Sequence, residues 1–100
     1  MSPRLIIRPE AEADITKAAV WYEDRESGLG VDFTAEIHAA IERAVEHPLT
    51  CLRLRKFPEV RRILARRFPY RVFFLVRPDA IVVFAVLHGA RHERHWRKRL

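Results

Sequence analysis

Apolar residues change their spacing near the middle of the chain. In the first half they recur at helical intervals: Ala11, Ile15, Ala18, Ala19 and Tyr22 form one stripe, as on one face of an α-helix. Pro9 precedes Glu10, Glu12 and Asp14, acids suited to a helix N-terminus. The pattern predicts a helix over Glu10–Glu23. Ser27-Gly28-Leu29-Gly30 interrupts it. Phe33, Ile37, Ala40, Ile41 and Ala44 then repeat the spacing, predicting a second helix over Val31–Glu46 that Pro48 closes. The short break implies a helical hairpin. Trp21 and Tyr22 end the first stripe and read as core or hairpin packing, with a binding site as the other reading.

Beyond residue 50 the period becomes that of strands. Leu52-Arg53-Leu54-Arg55 alternates apolar and basic. Val60–Arg66, Tyr70–Val76 and Ala80–His88 follow as further strands, with turns at Phe68-Pro69 and Arg77-Pro78-Asp79. Alternation gives the last strand two faces: Ile81, Val83, Ala85 and Leu87 against Val82, Phe84, Val86 and His88. Both are apolar, so the strand belongs inside the sheet with cover on each side. The helical hairpin covers one; a curled sheet or a partner chain is left for the other. Arg4-Leu5-Ile6-Ile7-Arg8 is a short N-terminal strand for a sheet edge. Residues 91–100 form a basic tail or a short helix. The expected fold is α+β: an N-terminal strand and a two-helix hairpin packed on a twisted antiparallel sheet of three or four strands, a single domain over residues 1–100.

Composition narrows the class. Of 100 residues, 49% are hydrophobic and 32% charged, too apolar for a disordered chain. The lone Cys51 makes no internal disulfide and no thiolate cluster for zinc. The Leu5-Ile6-Ile7 run is too short for a signal peptide, and the longest uncharged run, residues 80–90, is too short to span a bilayer. The expectation is a soluble cytoplasmic protein with no membrane partner.

Charge adds a functional clue. The net charge is +6, unevenly divided. Residues 1–50 hold five Lys/Arg and ten Asp/Glu, net −5; residues 51–100 hold fourteen and three, net +11. Arg53, Arg55, Lys56, Arg61, Arg62, Arg66, Arg67, Arg71, Arg91, Arg94, Arg97, Lys98 and Arg99 are expected side by side on one surface, with Arg77 at the far turn apart. Such a surface calls for an anionic partner, either nucleic acid or acidic protein. Arginine, which dominates it, favours bidentate phosphate and carboxylate contacts. Arg61, Arg62, Arg66, Arg67, Arg94, Trp96 and Arg97 are the candidates for target contact.

His88, His92 and His95 lie at and beyond the end of the last strand. Cleavage of RNA needs a base, an acid and a cation for the phosphate. His88 or His92 with Arg71 and Arg91 meets that need; the plainer reading is solvent-facing histidines in a basic tail. His92 and His95 have metal-ligand spacing, but beyond Glu93 nothing completes a site, so no metal is expected. No phosphate-binding glycine loop, dinucleotide fingerprint or serine-nucleophile elbow is present, and no cofactor is expected.

Several segments, in order, carry a family resemblance: Ala18-Ala19-Val20-Trp21-Tyr22-Glu23, Gly28-Leu29-Gly30 with Phe33, Val60-Arg61-Arg62, Arg67-Phe68-Pro69-Tyr70-Arg71-Val72-Phe73-Phe74, and Ala85-Val86-Leu87-His88-Gly89 with Arg91. The chain resembles the RelE/ParE superfamily of toxins from type II toxin–antitoxin systems over nearly its whole length. The resemblance implies a growth-inhibiting toxin held in a complex by a cognate antitoxin. It also implies one of two targets: DNA gyrase for ParE-like members, or messenger RNA cut on the ribosome for RelE-like members. Arg71 and Arg91 match RelE-like arginine positions, and His92 or His95 stands where some relatives use a histidine. Arginines occupy the stretch where several RelE-like toxins use lysines, and Trp96 takes the place of a C-terminal tyrosine. These departures favour the gyrase side; the remote alternative is a general nucleic-acid-binding domain that happens to share the pattern.

Overall fold

The hydrophobic pattern resolves into nine elements. In a computed structural model, which describes residues 3–91 and 93–100, they are β1 (Arg4–Ile7), α1 (Pro9–Arg25), α2 (Leu29–Glu46), a 3₁₀ turn (Pro48–Thr50), β2 (Leu52–Arg53), β3 (Val60–Leu64), β4 (Tyr70–Val76), β5 (Ala80–His88) and α3 (Arg94–Arg97). The sheet order is β1-β5-β4-β3-β2. β1 pairs with β5 in parallel and the remaining pairs are antiparallel. The expected α+β architecture is present, with β1 at one edge and β5 inside. Among the described residues no helix is long and apolar enough to cross a membrane.

Both helices run about two residues beyond their expected inner ends. α1 continues to Arg25, where the Glu26 amide still bonds to the Tyr22 carbonyl. α2 starts early because Gly28 adopts a left-handed φ of 90°, a conformation that glycine takes at little cost. Its N-terminus is capped from the other helix. The Glu23 carboxylate accepts the amides of Gly28 and Gly30, each at 2.9 Å, satisfying donors that a helix start leaves open. Gly30 also brings the helices together: a Cβ there would lie 2.5 Å from the Ala19 carbonyl oxygen. Backbone cannot yield as a flexible side chain does. Gly30→Ala is therefore expected to cost about 1–3 kcal/mol, despite alanine's better helix propensity. Chemical denaturation checks this; an unchanged midpoint would show that the hairpin spreads freely.

The core lies in two layers. Between the helices and the sheet pack Ala11, Ile15, Phe33, Ile37, Ala40, Ile41, Ala44, Val72, Phe74, Ile81, Val83 and Val86. On the opposite face Val60, Phe73, Leu75, Val82, Phe84, Ala85, Leu87 and Trp96 form a second cluster. This division corrects the simple alternation of β5. Phe73 pairs with Ala85 but Phe74 pairs with Val83, so Phe84 is an extra residue on β5. Such a bulge slips the alternation by one. Ala85 and Leu87 thus join Val82 and Phe84, while Val86 joins Ile81 and Val83.

The second layer is covered by the chain itself. Trp96 of α3 is 6% exposed. Its ring stacks on Phe73 at 5.2 Å and meets Phe57 edge-on at 5.5 Å. Partly buried Ile6, Leu54 and Phe57 complete the cover. The C-terminal segment is fastened by a salt bridge: the Arg99 guanidinium donates to both Asp14 carboxylate oxygens, at 2.6 and 3.0 Å. Arg99 also donates to the Phe84 carbonyl at 3.1 Å, and Asp14 accepts the Val86 amide at 2.9 Å. β1 pairs with β5 only as far as Val83. Beyond that point these two side chains serve the backbone groups of the bulged segment.

Candidate functional site

Strand alternation separates the basic residues that the sequence places together. On β3, Arg61 pairs with Phe74 and faces the helix side, whereas Arg62 pairs with Phe73 and faces the other. Arg61 donates to the carbonyls of Leu49 at 3.2 Å and Cys51 at 2.8 Å, which binds the 3₁₀ turn to β3. Arg66 and Arg67 lie exposed in the β3–β4 turn. Arg67 has a φ of 71° and bridges to Asp32 at 3.2 Å, with both side chains about half exposed, a contact of little energetic weight. Arg94 is exposed on α3. Arg97 pairs with Glu93 at 3.9 Å, and its guanidinium lies 5.4 Å over the Phe57 ring. Trp96, expected at the target surface, is inside the second core, and Arg99, expected in the basic tail, is committed to Asp14. The thirteen cations therefore do not all share one surface: period-two alternation turns Arg61 away from Arg62 and Arg71, and Arg99 is taken up by Asp14.

Arg62 and Arg71 make one group. Both are half-buried on the face away from the helices. Burial, and then the charge of Arg71, lowers the Arg62 guanidinium below its ordinary range. Neither has a carboxylate partner among the described residues. Arg71 runs beside Gly89, where a Cβ would sit 3.7 Å from its Nε.

His88 lies on the other side. It pairs with Tyr70, while Arg71 pairs with Leu87 of the second core. The His88 ring stands 5.4 Å from Tyr70 at 81°. Its Nδ1 accepts the Ala90 amide at 3.0 Å. A neutral imidazole holding that bond carries its proton on Nε2 and acts there as a donor. His92 lies outside the described residues.

A cleft of about 450 Å³ opens beside His88, lined by Asp14, Lys17, Trp21, Tyr22, Tyr70 and Arg91 among others. Burial raises the Tyr70 hydroxyl pKa, with Tyr22 and Asp14 adding to the rise and Arg91 opposing it. Lys17, Asp14 and Tyr70 are the members that sequence reasoning missed. The available signal was the Trp21-Tyr22 pair, which divides. Tyr22 packs on Phe33 at 5.2 Å and Phe68 at 4.9 Å, whereas Trp21 stays 51% exposed.

Comparison with known proteins places this geometry. A family model described as the ParE toxin of the type II toxin–antitoxin system parDE matches residues 5–93. No curated protein sequence matches the chain. Among solved structures, the chromosomal ParDE system of P. aeruginosa superposes with a TM-score of 0.75 at 18% identity, covering 87% of this chain and 96% of that one. A double arginine-to-alanine mutant of the E. coli toxin RelE in the free state gives 0.74 at 20% identity, covering 100% and 99%. The toxin–antitoxin complex RelBE of E. coli gives 0.64 at 19% identity, covering 90% and 100%. These likenesses show a shared fold.

Proposed function

The chain belongs to the ParE toxin family of type II toxin–antitoxin systems, and from that premise we propose that it arrests growth by binding and inhibiting DNA gyrase until a cognate antitoxin neutralises it. The observation that carries this reading is the register of β4 and β5. It sets Arg71 and His88 on opposite faces, and His88 Nδ1 is already engaged by the Ala90 amide. Arg71 and His88 therefore do not face one phosphodiester together. The antitoxin belongs to the reading because similar structures include toxin–antitoxin complexes.

One observation favours the ribonuclease alternative. Arg62 and Arg71, half-buried and with no carboxylate partner among the described residues, suit a phosphate. The decisive experiment incubates the purified chain separately with gyrase on supercoiled DNA and with translating ribosomes. Lost supercoiling with intact messenger RNA is the expected result. Discrete A-site cuts, abolished by Arg71→Ala, would overturn it.

The same reading predicts that His88→Ala leaves growth arrest within about twofold of the parent. A proton-transfer role would instead cost roughly 10²-fold or more. Colony counts after induction, at matched expression, distinguish the two.

A further inference from the structure

We propose that the cleft between α1 and the ends of β4 and β5 binds a nucleotide, with its base against Trp21 and its phosphate on Lys17 and Arg91. This goes beyond the toxin assignment: it shares Arg91 and His88 with the ribonuclease alternative, whereas Lys17 and Trp21 belong to it alone.

The aromatic wall is the first argument. Trp21 is half exposed in a cleft that also presents Tyr22 and Tyr70. The Arg25 guanidinium lies 3.8 Å over the indole, which holds the ring in place. An indole kept in a concavity suits a flat π-system, and every nucleobase offers one.

The polar groups are the second argument. Lys17, Arg91 and the Tyr70 hydroxyl are all donors. Neither Lys17 nor Arg91 has an ion-pair partner among the described residues. The one carboxylate in the lining is Asp14, and both its oxygens bond to Arg99, one of them also to the Val86 amide. The cleft is therefore positive and rich in donors, with its single acid compensated. An inorganic anion would leave the aromatic wall unused, and an uncharged ring would leave the cations unmatched. A nucleotide answers both, and about 450 Å³ lies within the usual range of small-ligand sites. A peptide of acidic residues alone would match the cations but not the exposed indole.

The test titrates the full chain with nucleoside 5′-monophosphates, by indole fluorescence and by calorimetry. The chain has two tryptophans; Trp96 is buried on the opposite layer, so quenching reports Trp21. Saturable quenching is expected. Trp21→Ala should weaken calorimetric binding about tenfold and Trp21→Tyr should restore most of it. Arg91→Ala should weaken it about tenfold, whereas Arg77→Ala, in the β4–β5 turn, should change nothing. Short single-stranded RNA and DNA form a second arm. Tighter binding of a strand than of a monophosphate would identify the source as polymer, the reverse as free nucleotide, and either supports the site. Absence of saturable binding, indifference to Trp21→Ala in a variant with native circular dichroism, or equal binding of inorganic phosphate or hexaglutamate would overturn it. The gyrase assay stands apart from all these outcomes.

Discussion

Trp96→Ala is expected to cost about 3–5 kcal/mol of folding stability, read as a fall in Tm of more than about 10 °C. The side chain is 6% exposed and touches the rings of Phe73, Phe57 and Phe84. Its removal opens the second layer, where Val82, Phe84 and Leu87 belong to the same buried cluster. A domain of this size holds about 5–15 kcal/mol in all, so the loss is a large share of it. Trp96→Phe keeps a ring in place and should cost far less. Thermal unfolding of both variants decides the point. A loss under about 1 kcal/mol together with lost target binding would return Trp96 to the contact surface.

Elements carried by local periodicity are legible from the chain. The helical stripes through Ile15 and Phe33 place both helices, and β4 and β5 fall at their expected bounds because β-branched and aromatic runs end at Pro69, Pro78 and Gly89. The toxin fold is legible for the same reason, since the segments that carry the resemblance are the elements themselves. The bulge is different. Nothing in Val83-Phe84-Ala85-Val86 marks an extra residue, and the slip shows only when β4 is laid alongside. The cover of the second layer is likewise non-local: Trp96 reads as one more residue in a basic tail until Phe73 and Phe57 are brought to it.

The candidate site is only partly legible. Arg71, His88 and Arg91 are found by residue type, but their faces depend on register, which sequence order does not reveal. Asp14 reads as one of three acids at a helix start. Its bond to Arg99, 85 positions away, has no local signature. Trp21 and Tyr22 occupy adjacent positions of one helix. Their 100° separation around the axis packs Tyr22 against the core at the cleft's wall and leaves Trp21 exposed in it.

The Asp14–Arg99 clasp gives the second large effect. Breaking one side of a buried pair costs about 3–5 kcal/mol. Here the side chains are 14% and 20% exposed, so Asp14→Ala and Arg99→Ala should each cost about 2–3 kcal/mol, the lower part of that range. The Asp14 hydrogen bond outweighs burial and raises the Arg99 pKa above its ordinary value, as expected for a favourable contact. Each single variant also strips a partner from β5 backbone: the Val86 amide in one case, the Phe84 carbonyl in the other. The double variant should cost less than the sum by about 1–2 kcal/mol, because the charge left unpaired by either change alone is then gone. Urea unfolding of the four proteins measures that difference, and strict additivity would show the pair to be adjacent but uncoupled. The two single changes should also part at the cleft. Arg99→Ala leaves an uncompensated carboxylate beside the proposed phosphate site and should weaken nucleotide binding, whereas Asp14→Ala removes that carboxylate and should not. Equal effects on binding would trace them to lost stability instead of charge.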